Sequence, residues 1–206
     1  MMNNFNVHDE YKDKTIDELK TISDSDRLPF SVCLFNIEYD LNIGNCVRSA
    51  HLLGAKNVYV FGKHRVDARA AVGAKNYTNI IRHTFDKPED MTDDEIAAEF
   101  WKMKLEQNIF PIFIEKTTMS KPIVDMNNYI TKSIILKDIS DANICLILGN
   151  ENRGIPNCIL KKYLYPVFHI PQFGVIRSFN VASAASIAMY ELSKTLNNII
   201  GEYNEH

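Results

Sequence analysis

The sequence predicts an α/β domain: a mostly parallel sheet with helices on both faces. Two observations carry this. From Ser31 onward, short apolar runs rich in β-branched and aromatic residues alternate with amphipathic stretches, the pattern of strand-helix units on a parallel sheet. One run, NICLILG at 143–149, is apolar almost throughout, as a central strand covered on both faces requires.

Residues 1–28 are polar and read as an N-terminal extension, with a short helical pattern around Ile16, Leu19 and Ile22. Residues 29–206 form the main domain. SVCLFNI (31–37) is a buried strand. Residues 42–54 read as a helix with Val47, Ala50 and Leu53 on one face and Gly54 as its stop. NVYVFG (57–62) is a second strand, 68–74 a short helix or turn, and NIIRHTF (79–85) a third strand. Residues 92–107 give an amphipathic helix. Thr92 and Glu95 stand in capping-box register, and Ile96, Phe100 and Met103 form its buried stripe, with Trp101 a further candidate. IFPIFIE (109–115) is a strand whose Pro111 predicts an edge position or an irregularity. A short helix follows at 156–163, then a strand at 165–170. A long helix rich in Ala and Ser spans 179–196.

A chain of 206 residues with 46% hydrophobic residues suits one folded domain. No apolar run approaches the roughly 18 residues of a membrane span, and the polar, acidic start resembles neither a signal nor a transit peptide. The cytosol is therefore the expected location. Cys33, Cys46, Cys145 and Cys158 lack the close pairing of zinc ligands, so buried thiols and no metal are expected. The net charge of −3 hides a local excess. Lys56, Lys63, Arg65, Arg69, Lys75 and Arg82 stand against Asp67 alone between 56 and 83, and phosphate contact depends on such local positive charge.

Three segments look like neither core nor generic loop. In LNIGNCVRSAHLLGA (41–55), Asn42 and Arg48 lie six residues apart near a strand-to-helix junction, where free N–H groups and a guanidinium suit an anion. In LILGNENRGIP (146–156), an apolar strand ends in Gly149, Asn150 and Glu151, with Gly154 following. Ligands of open α/β sheets bind at such strand ends, and glycine admits them close to the backbone. In HIPQFGVIRSFNVASAASIAMYE (169–191), Ile170 and Pro171 close a strand, Gly174 lies in a loop, and Ser178 and Asn180 open a helix of small residues. Taken singly, each segment is equally well read as an N-cap, a turn or a packed helix. Neither a P-loop nor a dinucleotide fingerprint is present.

Taken together, the order and spacing resemble the three motifs of the SpoU/TrmH branch of the SPOUT methyltransferases, across about residues 30–197. The first motif is carried by Asn42 and Arg48. The second is carried by Leu148, Gly149, Glu151 and Gly154. The third is carried by Ile170, Pro171, Gly174, Ser178, Asn180 and Val181. Phe179 stands where leucine is commoner.

The resemblance implies a C-terminal deep trefoil knot, S-adenosyl-L-methionine as cofactor, an RNA substrate, a homodimer, and methyl transfer to a ribose 2′-hydroxyl. It implies a catalytic set of Asn42, Arg48, Glu151, Ser178 and Asn180. It implies a cofactor site of Leu148, Gly149, Asn150, Ile170, Pro171, Gly174, Ser178, Phe179 and Asn180. Lys63, Arg65, Arg69 and Lys75 are the RNA-contact candidates. The wording IPQFGVIRSFNV, with GIP after the second motif, is most similar to tRNA guanosine-18 methyltransferases, so tRNA is the first expectation. Ribosomal RNA, the tRNA wobble position and a non-catalytic RNA-binding module are the alternatives.

Overall fold

The computed structural model describes residues 6–84, 91–135, 143–162 and 165–204. Seven strands form one parallel sheet: β1 (Leu28–Phe35), β2 (Ala55–Phe61), β3 (Asn79–His83), β4 (Ile109–Ile114), β5 (Lys121–Pro122), β6 (Asn143–Leu148) and β7 (Val167–His169). Their spatial order is β3-β2-β1-β6-β4-β7-β5. The 143–149 run is central, as expected: β6 pairs with β1 (Leu34 beside Leu148) and with β4 (Ile114 beside Leu148).

Side chains alternate across the sheet. Val32 and Leu34 of β1, with Ile144, Leu146 and Leu148 of β6, face one way. There they meet helices α2 (Asp40–Leu52), α5 (Met126–Ile135) and α7 (Val181–Asn204). Cys33, Phe35, Cys145 and Ile147 face the other way, toward α4 (Asp93–Glu106) and α6 (Asn157–Lys162). That second layer is aromatic. Phe35 stacks on Phe61 at 4.8 Å, and the Phe100 ring of α4 meets both edge-on. Covering both faces is what lets β6 be apolar at every position after Asn143.

The extension carries α1 (Ile16–Ser25), capped reciprocally by Thr15 and Glu18, and Leu19 is its buried anchor. Short α3 (Ala68–Ala71) is capped by Asp67, whose oxygen accepts from the amides of Arg69 and Ala70. Thr92 and Glu95 form the expected capping box of α4.

Four differences from the sequence expectations have local causes. The helix expected from residue 42 begins at Asp40, which places Asn42 in its first turn. The helix expected from residue 179 begins at Val181, because Asn180 caps it: its Oδ1 accepts from Ala182 N at 2.9 Å. Strand β4 is interior rather than an edge, yet Pro111 keeps a local edge. Phe113 N donates to Pro166 O, and pairing with β7 starts only at Phe113. In a strand the N–H groups of alternate residues point the same way, so Pro111 lacks its donor where β7 has not yet begun. Finally, β5 and α5 were not expected from the sequence. Phe85 and Tyr163, at the ends of two expected elements, fall outside the described residues.

Cys33, Cys46 and Cys145 are buried free thiols, and Cys158 is half-buried. Burial, with a smaller contribution from Glu151, pushes the Cys46 thiol up to about 12.

Two half-buried histidines are held below their ordinary pKa: His51 by burial and then by Arg27, His83 by burial. The unfolded chain therefore binds protons that the folded chain refuses. The stability this confers is complete above the ordinary value of about 6.5 and is lost as pH falls through the lowered values. The melting temperature is expected to drop between about pH 7.5 and about pH 5. A His51→Gln/His83→Gln double variant should show a flatter profile over that range; an unchanged slope would contradict the assignment.

Candidate active site

The carboxyl ends of β1, β6, β4 and β7 lie side by side, and the loops leaving them build one site. After β1, Asn36 adopts a left-handed φ of 52° and the chain turns through Glu38 into α2. After β6, residues 149–154 fold back on themselves, with an isolated bridge between Asn150 and Gly154. The turn is held from within by Asn150, whose Oδ1 accepts from Asn152 N and Arg153 N at 2.9 and 2.8 Å. Its Nδ2 donates to Asn36 O at 2.8 Å, which clamps the turn to the end of β1.

A chain of amide and carboxylate groups then links all three sequence segments. Asn42 Nδ2 donates to Glu151 Oε1 at 2.8 Å, and Glu38 N donates to Glu151 Oε2 at 2.8 Å. Asn180 Nδ2 donates to Asn42 Oδ1 at 3.1 Å. Asn42 is thus a relay between the second and third segments, and it is buried. Both Glu151 oxygens are engaged, so this carboxylate is fixed in place.

Beside this chain lies a cavity of about 330 Å³, within the range of about 300–1,000 Å³ typical of small-molecule sites. Leu148, Gly149, Asn150, Glu151, Ile170, Ser178 and Phe179 line it. Pro171, Gly174 and Asn180 are not on its wall; Asn180 reaches it only through Asn42 and Glu151. Gly149 is demanded by space. A Cβ there would stand 2.6 Å from the Gly154 carbonyl carbon and 2.7 Å from Ile155 N, contacts that no side chain tolerates. The glycine thus lets the turn at 154–155 pack directly against the end of β6, beside the cavity.

Arg48 does not join this cluster within one chain. Among the described residues it makes no hydrogen bond to Asn42, Glu151 or Asn180, and it lines a different cavity. The cause is helical geometry. Six residues carry Arg48 about 9 Å along α2 and about 240° around it from Asn42. Ser49, seven residues on from Asn42, returns to the α7 side, where its hydroxyl meets that of Ser186 at 2.8 Å. Within one chain, Asn42 and Glu151 orient each other and not the Arg48 guanidinium.

Of the RNA-contact candidates, Arg69 is bound to Asp67 at 2.9 Å, and that bond, with the helix-cap amides, holds Asp67 down to about 2. Arg65 is tied through its backbone to Asp40. Lys63 and Lys75 are exposed.

Sequence reading missed Glu115, at the end of β4. Its Oε2 accepts from Ile155 N at 3.1 Å and its Oε1 from Lys116 N. Its own N–H donates to Phe168 O of β7 at 2.9 Å. A Cβ on Gly154, whose φ is +66°, would meet Oε2 at 2.5 Å. Glu115 therefore ties the turn after β6 to β7. The signal available was a carboxylate ending an apolar strand. It also missed Lys116, Arg153 and Arg177, which add positive charge to the cavity wall.

The model of the SpoU rRNA methylase family matches residues 29–190. A putative TrmH family tRNA/rRNA methyltransferase of Bacillus subtilis is 23% identical over 92% of the chain and 68% of that protein. The tRNA (guanosine(18)-2′-O)-methyltransferase of Saccharomyces cerevisiae is 33% identical over 102 residues, which are 50% of the chain and 6% of the yeast protein. Among solved structures, the A. aeolicus TrmH/SpoU tRNA modifying enzyme superposes with a TM-score of 0.66 at 15% identity, over 89% of the chain and 83% of that structure. The SpoU methyltransferase AviRb of Streptomyces viridochromogenes, in complex with AdoMet, gives 0.57 at 22% identity, over 84% and 59%.

Proposed function

The chain belongs to the SpoU rRNA methylase family, and from that premise we propose that it transfers a methyl group from S-adenosyl-L-methionine to a ribose 2′-hydroxyl of RNA, with tRNA the favoured substrate and guanosine 18 the first target. The observation that carries this reading is the Glu151–Asn42–Asn180 hydrogen-bond chain, which joins three distant segments beside a cavity with a glycine floor. The 33% identity to the yeast enzyme supports the choice of tRNA.

The cavity fits the cofactor. Gly149 seats the 154–155 turn against the end of β6 at the cavity wall. Glu115 and Glu151 supply negative charge suited to a sulfonium, and Lys116, Arg153 and Arg177 supply positive charge suited to a carboxylate. When bound, the cofactor provides the electrophilic methyl group. The work of the chain is positioning, which supplies several kcal/mol. Glu151 and Asn42 fix the end of α2 against the turn after β6. Ser178 and Asn180 shape the 170–181 segment, the part that family resemblance reads as a knot. Arg48 holds the substrate phosphate and steers the hydroxyl. A phosphate oxygen beside it takes the proton that the hydroxyl gives up when it accepts the methyl group. Arg48 lines a separate cavity of the same chain, so the arginine completing each site comes from a second copy in a symmetric dimer.

Incubating the protein with unmodified tRNA and ribosomal RNA, then digesting the RNA to nucleosides for mass spectrometry, tests the reading. A 2′-O-methylated nucleoside from tRNA is expected. A base-methylated nucleoside, or no methylated product from either RNA, would overturn it. Glu115→Gln places an amide donor against one of two backbone N–H groups. It should weaken S-adenosylhomocysteine binding about tenfold, the scale of one charge-assisted hydrogen bond; unchanged calorimetric affinity would remove Glu115 from the site.

A further inference from the structure

A second cavity, of about 560 Å³, lies between the N-terminal extension and the side of α2 that carries Arg48. Its walls combine rings with cations. Tyr11 comes from the extension, Arg48 and His51 from α2, and Tyr77 from the turn before β3. The His51 and Tyr77 rings are 5.8 Å apart. Arg27 braces this wall from behind. Its side chain is 5% exposed, and its Nη2 donates to Tyr77 O at 2.7 Å and reaches His51 Nδ1 at 3.4 Å. Burial and the Arg27 charge hold the His51 pKa below its ordinary value, and because a guanidinium only donates, Nδ1 is the acceptor in that contact and Nε2–H is the donor left to a ligand.

Another part of the lining is strained. Val72 stands at φ 48°, in the left-handed region that a β-branched residue rarely enters. Such outliers persist where the surroundings dictate the backbone, often at ligand clamps. Val72 and Tyr77 bracket a segment that also carries Lys75, and Arg69 precedes it. Arg48 is exposed, and among the described residues it has no hydrogen bond or ion pair.

Unstacked bases of RNA are held by aromatic faces and by polar groups on their edges, and their phosphates by guanidinium groups. We propose that this cavity receives one unstacked nucleotide of the RNA substrate, its phosphate on Arg48 and its base among Tyr11, His51 and Tyr77. This rests on the role given to Arg48 above and extends it: the N-terminal extension is part of the RNA-binding surface. Folding supports that role for the extension. The capping box of α1 and the burial of Leu19 fix the segment against the domain, so Tyr11 and Ser23 form a standing wall.

Two full-length variants test the proposal. Tyr11→Ala removes one ring, and Ser23→Trp fills the cavity from α1. Binding of unmodified tRNA transcripts is measured by filter retention at one fixed salt concentration. S-adenosylhomocysteine affinity, melting temperature and sedimentation are measured beside it. Both variants are expected to bind tRNA at least fivefold more weakly with the other three readings unchanged. Transcripts carrying 4-thiouridine should cross-link to peptides spanning residues 6–27 or 68–77. Wild-type tRNA affinity in both variants overturns the cavity assignment and leaves methyl transfer standing. Loss of dimer in place of loss of tRNA affinity also overturns it, and identifies a second copy as the occupant. Wild-type protein that binds and cross-links as described, yet yields no ribose methylation, supports the cavity and overturns the proposed reaction.

Discussion

Arg48→Ala is expected to lower methyl transfer at least about 10²–10³-fold, about 3–4 kcal/mol of transition-state stabilisation, the scale seen when one charge-stabilising donor is lost. S-adenosylhomocysteine affinity should stay at the wild-type value, because Arg48 does not line the cavity at the ends of β6 and β4. The same geometry makes a sharper claim. Arg48 and Glu151 line separate cavities in one chain, so two inactive variants should complement each other. Arg48→Ala and Glu151→Ala proteins, mixed and allowed to exchange subunits, form mixed dimers for half of the population. Each mixed dimer has one intact composite site, so recovered activity should approach about one quarter of wild type. A fully active Arg48→Ala enzyme would remove Arg48 from the mechanism. Inactive variants that exchange subunits without recovery would place the whole reaction within one chain.

Gly149→Ala is expected to disable cofactor binding and to cost stability at once. The added methyl meets the Gly154 carbonyl carbon at 2.6 Å and Ile155 N at 2.7 Å. Both are backbone atoms of a turn clamped by Asn150 and Glu115, so neither can yield cheaply. Overpacking of this kind costs about 1–3 kcal/mol, a fall in melting temperature of about 2–12 °C for a chain of this size. Calorimetric titration should show S-adenosylhomocysteine affinity falling below detection. A variant that melts and binds like wild type would mean that the turn is looser than its hydrogen bonds indicate. Gly174→Ala is the matched control: nothing lies within 4 Å of a Cβ there.

The elements that sequence made legible are those with strong periodicity or a cap. The β6 run, the Thr92–Glu95 box and the Ala-rich C-terminal helix each concentrate a local preference that tertiary structure had no reason to oppose. Elements β5 and α5 were illegible because their order comes from contacts far along the chain: Lys121 and Pro122 of β5 pair only with β7. The site shows the same division. Motif spacing picked out Asn42, Glu151 and Asn180, and these do form one hydrogen-bonded chain. The family resemblance grouped Arg48 with them; within one chain a helical phase of about 240° from Asn42 turns its guanidinium away. Glu115 escaped notice because a single carboxylate after an apolar strand is an ordinary way for a strand to end. Its role follows only once β4, β6 and β7 are neighbours.

The strand order has a consequence for synthesis. A chain halted before Asn143 holds β1, β2 and β3 as one strip and leaves β4 and β5 unpaired, because β6 joins β1 to β4 and β7 joins β4 to β5. The β1 edge of the strip and both edges of β4 are then open, with apolar side chains on both faces, the condition under which nascent chains aggregate or recruit holdases. The insertion of one late strand into the middle, followed by β7 beside β4, makes the final third of the polypeptide decide whether the first two thirds have a stable structure at all. Limited proteolysis of ribosome-bound chains should therefore show protection arriving abruptly once β6 and β7 have cleared the exit tunnel, with little gained before.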